Sequence, residues 1–247
     1  MNTKTKTYIE TFNNGPSGWL SWEKPLQPVR PEIRDGALVS RSPWGVDANH
    51  APPGAGYLHL LFILLTSYPP GFSGTYKEVS DACGPNRFIE GGFSRNLTNA
   101  KIHARLKGEV NLRGSELVLL AQGNIARDKE GTLDWAKPNV VNQVLTAQPF
   151  QITPDWSEQT ITLAPDQKQW TQLGSHEDAG YGRGPIEKLL RDVNFDLIFI
   201  LFPLDVRPLQ PVPGDYHRLR PGRDYEADRS RLPEGYVMLD EVRIEYP

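Results

Sequence analysis

The last stretch of the chain, 235–246, constrains the fold more than any other. It reads GYVMLDEVRIEY, and one parity of it is mostly apolar: Met238, Asp240, Val242, Ile244 and Tyr246. A period of two is typical of a strand with one buried face. Asp240 is the exception on that face, and a buried carboxylate requires a cation or several hydrogen-bond donors. We therefore predict a strand here, with Asp240 as a metal ligand or as an acceptor that anchors backbone amides.

The beginning of the chain carries a second carboxylate in a similar place. Residues 8–12 predict a short strand, the turn sequence Asn-Asn-Gly-Pro follows it, and Glu10 lies just before that turn. If the two ends of the chain pair, Glu10 and Asp240 meet and repel each other. A hard cation with oxygen ligands, Ca²⁺ above all, relieves such repulsion. The alternative is a solvated Glu10, with Asp240 capping backbone amides.

Strand patterns also dominate the middle of the chain. Two runs, 57–65 and 195–204, are apolar at nearly every position, which is typical of central strands covered on both sides. His59 lies inside the first run, and we interpret it as a hydrogen-bonded core residue. Shorter strands are predicted at 33–40, 101–107, 115–123, 140–146 and 159–163, the first with an Asp-Gly hairpin turn.

Only one segment predicts a helix. It is 185–192, with Pro185 in its first turn and apolar Ile186, Leu189 and Leu190 on one side. Short strands without alternating long helices indicate an all-β fold, a two-sheet antiparallel β-sandwich (jelly roll) with one short helix.

Three long loop insertions interrupt this pattern, near 66–95, 123–139 and 205–233. Loops of that length in a compact domain are usually binding loops or lids. No segment between them has the composition of a linker, so we expect a single domain over 1–247.

Composition excludes several classes of function. The formal net charge is −3, so no basic face indicates a nucleic-acid partner, and a single cysteine excludes an intramolecular disulfide framework. The first twelve residues have no apolar signal-peptide core, and no apolar run reaches membrane-spanning length. We expect a soluble cytoplasmic protein without a membrane partner, or a mature domain cut from a secreted parent.

The two ends of the chain resemble a known group. ETFNNGPSGW at the start and GYVMLDEVRIEY at the end resemble the first and last strands of carbohydrate-binding-module-like jelly rolls of the galactose-binding-domain-like group. The segment WSEQTITL and the helix before FDLIFIL resemble the penultimate part of such domains. The resemblance implies a two-sheet jelly roll and a structural calcium near the chain ends, held by Glu10 and Asp240 with neighbouring backbone carbonyls.

Common catalytic signatures are absent from the sequence, including HExxH, GxSxG, the P-loop and the Rossmann fingerprint. Sugars are bound by stacking on Trp or Tyr, with hydroxyls bonded to polar side chains. The ligand-binding candidates on predicted strands are His103, Arg105, Gln122 and Asn142, and those on loops are Trp44, Trp135 and Tyr181. Trp135 lies among charged residues, which indicates a ligand or a partner surface.

These observations favour a non-catalytic carbohydrate-binding module whose partner is a saccharide or another small molecule. The first alternative is an enzyme of lyase, hydrolase or cyclase type on the same jelly roll, with Asp205 or Asp215 and His217 as an acid–base pair. A deep pocket with a carboxyl group of raised pKa indicates the enzyme, and a shallow aromatic groove indicates the binding module. The second alternative is a structural or assembly protein, with loops that cover sheet edges in a homo-oligomer.

Overall fold

The computed structural model describes residues 7–23, 27–47, 57–173, 183–206 and 229–247. Its strands are Tyr8–Glu10 (β1), Trp19–Glu23 (β2), Gln27–Val29 (β3), Glu32–Arg34 (β4), Ala37–Arg41 (β5), Tyr57–Leu65 (β6), Lys101–Asn111 (β7), Glu116–Asn124 (β8), Val140–Leu145 (β9), Ser157–Thr162 (β10), Trp170–Leu173 (β11), Asp196–Leu204 (β12) and Glu234–Glu245 (β13). Its α-helices are Gly74–Ala82 (α1), Arg87–Glu90 (α2) and Ile186–Arg191 (α3), and short 3₁₀ turns lie at Gln167–Gln169 and Arg229–Arg231.

The strands form two sheets packed face to face. One is six-stranded, in the order β10-β7-β13-β5-β4 with β1 also paired to β13, and the other is seven-stranded, in the order β11-β9-β8-β12-β6-β2-β3. The described strand pairs are antiparallel. Apolar side chains of both sheets, such as Leu106 and Val242 from one and Leu119 and Phe199 from the other, share one core. The predicted all-β, two-sheet antiparallel sandwich is confirmed.

The seven-stranded sheet is apolar on its outer face as well. Leu60 of β6, Leu120 of β8 and Ile198 of β12 are buried there in a second cluster, against which Tyr76 and Val79 of α1 pack. This second layer explains why β6 and β12 are apolar at nearly every position, as the sequence predicts for strands covered on both sides.

The helix content differs from the prediction. The helix at 186–191 is confirmed, but the segment 66–95, expected as a loop, contains α1 and α2 as well. Tyr76, Val79 and Cys83 recur at helical spacing, and all three contribute to the outer cluster of the seven-stranded sheet. Helix α1 is stabilised by packing on the apolar outer face of the seven-stranded sheet. Its own sequence is short and flanked by glycines, so the sequence alone did not predict it.

The two ends of the chain pair as predicted, with Tyr8 opposite Ile244 and Glu10 opposite Val242. The predicted parity of β13 is wrong in its first half, because a β-bulge between Leu239 and Glu241 makes Asp240 an extra residue. Before the bulge the core-facing residues are Val237 and Leu239, and after it they are Val242 and Ile244. Met238 and Asp240 therefore belong to the outer face, where Met238 packs with Ala37 and Val39.

Candidate functional site

Glu10 is buried, with 1% of its surface exposed, and its charge is already compensated. Its Oε1 accepts hydrogen bonds from Arg87 Nη1 at 3.1 Å and from the backbone amides of Thr11 at 3.1 Å and Phe12 at 3.4 Å. Its Oε2 is buried and has no hydrogen-bond partner among the described residues. Glu10 is thus not the solvated carboxylate of the alternative interpretation, and an arginine stands beside it.

Asp240 lies on the other side of the six-stranded sheet. Its carboxylate accepts a short hydrogen bond from Arg105 Nη1 on the outer face, whereas Glu10 shares the inner side with Val242. Glu10 and Asp240 therefore do not form one site, and no group of three or more His, Cys, Asp or Glu residues in the described ranges is arranged to hold a metal ion. Calcium binding itself stays a prediction.

His103 and Arg105, two of the predicted ligand residues, belong to this outer face of the six-stranded sheet. His103 Nε2 donates to Glu245 Oε2 at 3.0 Å, and its Nδ1 lies 2.8 Å from Thr160 Oγ1. The Arg105 guanidinium, besides its bond to Asp240, lies 4.9 Å from the ring centroid of Trp156. These two candidates therefore already have polar or aromatic partners on this face.

Gln122 and Asn142 are brought together, but on the outer face of the seven-stranded sheet. Gln122 of β8 pairs with Asn142 of β9 on one side and with Asp196 of β12 on the other. We call these three buried residues the polar row. Both polar atoms of the Asn142 side chain are buried without a hydrogen-bond partner among the described residues.

The remaining loop aromatics are placed differently. The Trp135 ring meets Phe195 edge to face, with centroids 5.8 Å apart, and is only partly exposed. Phe195 precedes Asp196, so Trp135 lies at the same end of the sheet as the polar row. Tyr181 falls outside the described residues.

Trp44 lines a cavity of about 430 Å³ where β5 ends and β13 begins. The cavity, which we call the Trp44 cavity, is lined by Ser42, Pro43, Trp44, His59, Ser230, Leu232, Pro233 and Glu234. Its volume lies within the range of small-molecule pockets, roughly 300–1,000 Å³. Its wall contains both apolar and hydrogen-bonding side chains.

The aromatic floor of the Trp44 cavity is held in place by hydrogen bonds. Trp44 Nε1 donates to Ser40 Oγ at 2.9 Å, and the indole ring lies against the His59 ring, with centroids 5.8 Å apart. His59 Nδ1 lies 2.7 Å from the carbonyl oxygen of Gly45. A carbonyl only accepts, so Nδ1 carries a proton and donates to it. His59 is the hydrogen-bonded core residue that the sequence predicts, and it also faces a cavity.

The two walls of the Trp44 cavity are joined at Gly235. Ser42 N donates to the Gly235 carbonyl at 2.9 Å, and Gly235 N donates to Ser42 Oγ at 3.0 Å. Gly235 has a φ of +141°, and a Cβ added there would lie 1.9 Å from the carbonyl oxygen of Glu109. Only glycine allows this approach, so this residue fixes where the chain segment with Glu234 enters β13.

Asp205, a member of the predicted acid–base pair, is ion-paired. Its Oδ2 accepts from Arg231 Nε at 3.0 Å, on the segment that leads to the cavity. Asp215 and His217 fall outside the described residues. At the two carboxyl groups where a shift is clear, the pKa is lowered: the hydrogen bond from the Thr132 side chain lowers the pKa of Asp128, and the hydrogen bond from His103 lowers that of Glu245.

Two residues of these surfaces were not among the sequence candidates. Glu234 lies in the Leu-Pro-Glu-Gly turn, and Trp156 lies just before the strand predicted at 159–163. Glu234 reaches the Trp44 cavity because β13 begins beside β5. No spacing in the sequence shows this, because the two strands are far apart along the chain.

Comparison with known proteins adds little to this geometry. No protein-family model matches the sequence, and no curated protein sequence matches it. Among solved structures, the carbohydrate-binding module CtCBM11 is similar at 8% identity with a TM-score of 0.35, over 100% of this chain and 99% of that one. A structure from work on endo-acting O-glycanases of the human gut microbiota that initiate mucin breakdown is similar at 9% identity with a TM-score of 0.35, over 96% and 98%.

At such low identity and structural agreement, the fold assignment rests on the two sheets themselves, and no activity follows for this chain from either protein. Among the described residues, none of the helices combines the length and apolar character needed to cross a membrane.

Proposed function

We propose that this protein binds a saccharide in the Trp44 cavity. The observation that carries the proposal is the combination of a rigid aromatic floor with hydroxyl, imidazole and carboxylate groups around one cavity of about 430 Å³. A pyranose has an apolar ring face and a rim of hydroxyls, so it requires both kinds of contact. The hydrogen bond of Trp44 to Ser40 keeps the indole in one orientation, which lowers the entropy lost on binding.

The outer face of the six-stranded sheet supports this function less well. There His103 uses both ring nitrogens on Glu245 and Thr160, and Arg105 is paired with Asp240. A saccharide on that face would have to replace contacts that already exist. In the Trp44 cavity the Glu234 side chain is exposed and has no ion-pair partner among the described residues.

A glycan array followed by titration calorimetry tests the proposal. We expect at least one saccharide to bind, and Glu234→Gln to weaken it roughly tenfold, because a hydrogen bond to a charged group is lost. Glu187→Gln, an exposed substitution on α3, is the matched control and leaves the affinity unchanged. Trp44→Phe weakens binding, whereas Trp156→Phe, on the outer face of the six-stranded sheet, does not.

An array without a hit on folded protein contradicts the proposal. Equal affinities of the Glu234→Gln and Glu187→Gln variants would show that the ligand does not bind in this cavity.

Calcium at Glu10 is carried forward as a separate proposal. Its support is the buried Oε2 atom without a described partner, and Arg87 would be its competitor for the carboxylate. Titration of calcium chloride into chelator-treated protein should release a binding heat that Glu10→Gln removes. No heat in the wild type contradicts calcium binding.

A further inference from the structure

The Trp44 cavity carries one carboxylate that no cation of the described wall neutralises. Among the described residues that line the cavity, Glu234 is the only acid, and there is no lysine or arginine. Directly across the sheet, the neighbour of Glu234 is Asn111 of β7, which has no charge. The Glu234 side chain is exposed, and it forms no hydrogen bond or ion pair with a described residue. Its negative charge therefore acts on whatever enters the cavity.

The arginines nearest to the two walls along the chain are paired with other carboxylates. Arg41, the last residue of β5, donates from Nε to Glu32 Oε2 at 3.2 Å. Arg231, on the segment that leads to the cavity, donates from Nε to Asp205 Oδ2 at 3.0 Å. Each of these arginines is thus matched with one acid outside the cavity, and neither forms an ion pair with Glu234.

A hydroxyl donor lies beside this carboxylate. Ser42 Oγ accepts the hydrogen bond of the Gly235 amide at 3.0 Å, so the hydroxyl proton is left to be donated to a ligand. Gly235 follows Glu234 directly, so the carboxylate and the Ser42 hydroxyl belong to adjoining parts of the wall. The cavity therefore presents a charged acceptor and a neutral donor next to each other.

We propose that the ligand of the Trp44 cavity is an amino sugar, whose protonated amine pairs with Glu234. This inference rests on the saccharide binding proposed above and names the class of saccharide. An ammonium group donates to the carboxylate and neutralises it, and the oxygen of a neighbouring ring hydroxyl accepts from Ser42. The same carboxylate repels an acidic sugar.

Titration calorimetry with three related monosaccharides tests the charge preference: D-glucosamine, D-glucose and N-acetyl-D-glucosamine. The measurement is made at low ionic strength and slightly acidic pH, where the glucosamine amine is protonated. N-acetylation keeps the nitrogen and removes the charge. We expect glucosamine to bind roughly tenfold more tightly than the other two, because its hydrogen bond to Glu234 is between charged groups. The difference should shrink in about 1 M salt, which screens the pair.

Variants of Glu234 separate its charge from its shape. Glu234→Gln should lower the affinity for glucosamine roughly tenfold, to that of glucose, and the melting temperature should stay unchanged because the side chain is exposed. Glu234→Asp keeps the charge and should keep the preference for glucosamine. Glu187→Gln changes the net charge by the same amount at an exposed position on α3 and should leave the preference unchanged.

The possible failures of the two proposals differ. If glucose and N-acetylglucosamine bind as tightly as glucosamine, or if the array gives hits and glucosamine does not bind, the amino-sugar inference is overturned and saccharide binding stands. A preference for glucosamine that persists in Glu234→Gln also overturns the inference. If the array is empty and none of the three monosaccharides binds, both proposals are overturned.

Discussion

The outer face of the six-stranded sheet carries polar side chains that satisfy one another in contact with solvent, whereas the outer face of the seven-stranded sheet is apolar and closed. On the first face His103 is bonded to Glu245 and Thr160. On the second, the Asn142 side chain is buried and makes no hydrogen bond to the described residues. Both residues were ligand candidates by type alone, so residue type does not show whether a polar side chain already has a partner.

The largest difference between the two faces should appear in the cost of truncation. Ile198→Ala removes buried apolar volume from the closed face and should lower the free energy of unfolding by about 3 kcal/mol. Thr160→Ala on the open face should cost less than about 1 kcal/mol, because solvent replaces its hydrogen bond. Urea unfolding of both variants measures this, and similar losses would contradict the division into a closed and an open face.

The buried carboxylate of Glu10 allows a second comparison between buried and exposed interactions. Arg87→Met leaves the Glu10 carboxylate buried without its cation and should destabilise the protein by about 2 kcal/mol, less than for a fully buried pair because the Arg87 side chain is 56% exposed. Adding Glu10→Gln should restore much of the loss. A double variant no more stable than Arg87→Met in urea unfolding would show that the charge of Glu10 is not the cause.

The open face should respond weakly to the loss of an ion pair. Arg105→Ala removes the bond to Asp240 and the contact with Trp156, both partly exposed, and should cost about 0.5–1 kcal/mol. The loss should shrink in about 1 M salt, where exposed charges are screened. A cost above that of Ile198→Ala would contradict the solvated character of this face.

The smallest expected effect is a pH dependence at Glu245. The hydrogen bond from His103 lowers the pKa of Glu245 from its ordinary value of 4.5. A lowered folded-state pKa contributes stability that is present above the ordinary value and is lost as the pH falls through the folded-state value. His103→Ala should therefore make the urea midpoint slightly less sensitive to acid below about pH 4.5. An unchanged acid dependence would show that His103 does not act on Glu245.

Most strands could be predicted from the sequence because each depends on its own pattern. The hairpin at Asp35 and Gly36 is one example: both residues adopt positive φ, 52° and 79°, as the Asp-Gly signal predicts. The continuous apolar runs at 57–65 and 195–204 likewise predicted central strands with both faces covered.

The bulge at Asp240 could not be predicted in the same way. At that position β13 changes its edge partner, from β5 at Leu239 to β1 at Val242. The register therefore depends on two strands that are distant in sequence, and the simple alternation of apolar residues misplaced Met238 and Asp240. As a result the two terminal carboxylates face opposite sides of the sheet.

The candidate sites also combine features that the local sequence shows with features that depend on distant strands. Trp44, Gln122 and Asn142 could be selected by residue type, but their partners His59, Glu234 and Asp196 lie on other strands. A residue type shows what a side chain can donate or accept, and only the packed neighbours show whether that capacity is already used.

The sequence by itself determined the strand periodicity, the hairpin turn and the helix at 186–191, because each arises from local alternation of apolar residues and local backbone preference. Only the tertiary structure decided which polar groups found partners, as His103 did, and which did not, as at Asn142. The physical reason is that burial and hydrogen-bond satisfaction depend on neighbours brought together by sheet pairing, and no local pattern carries that information.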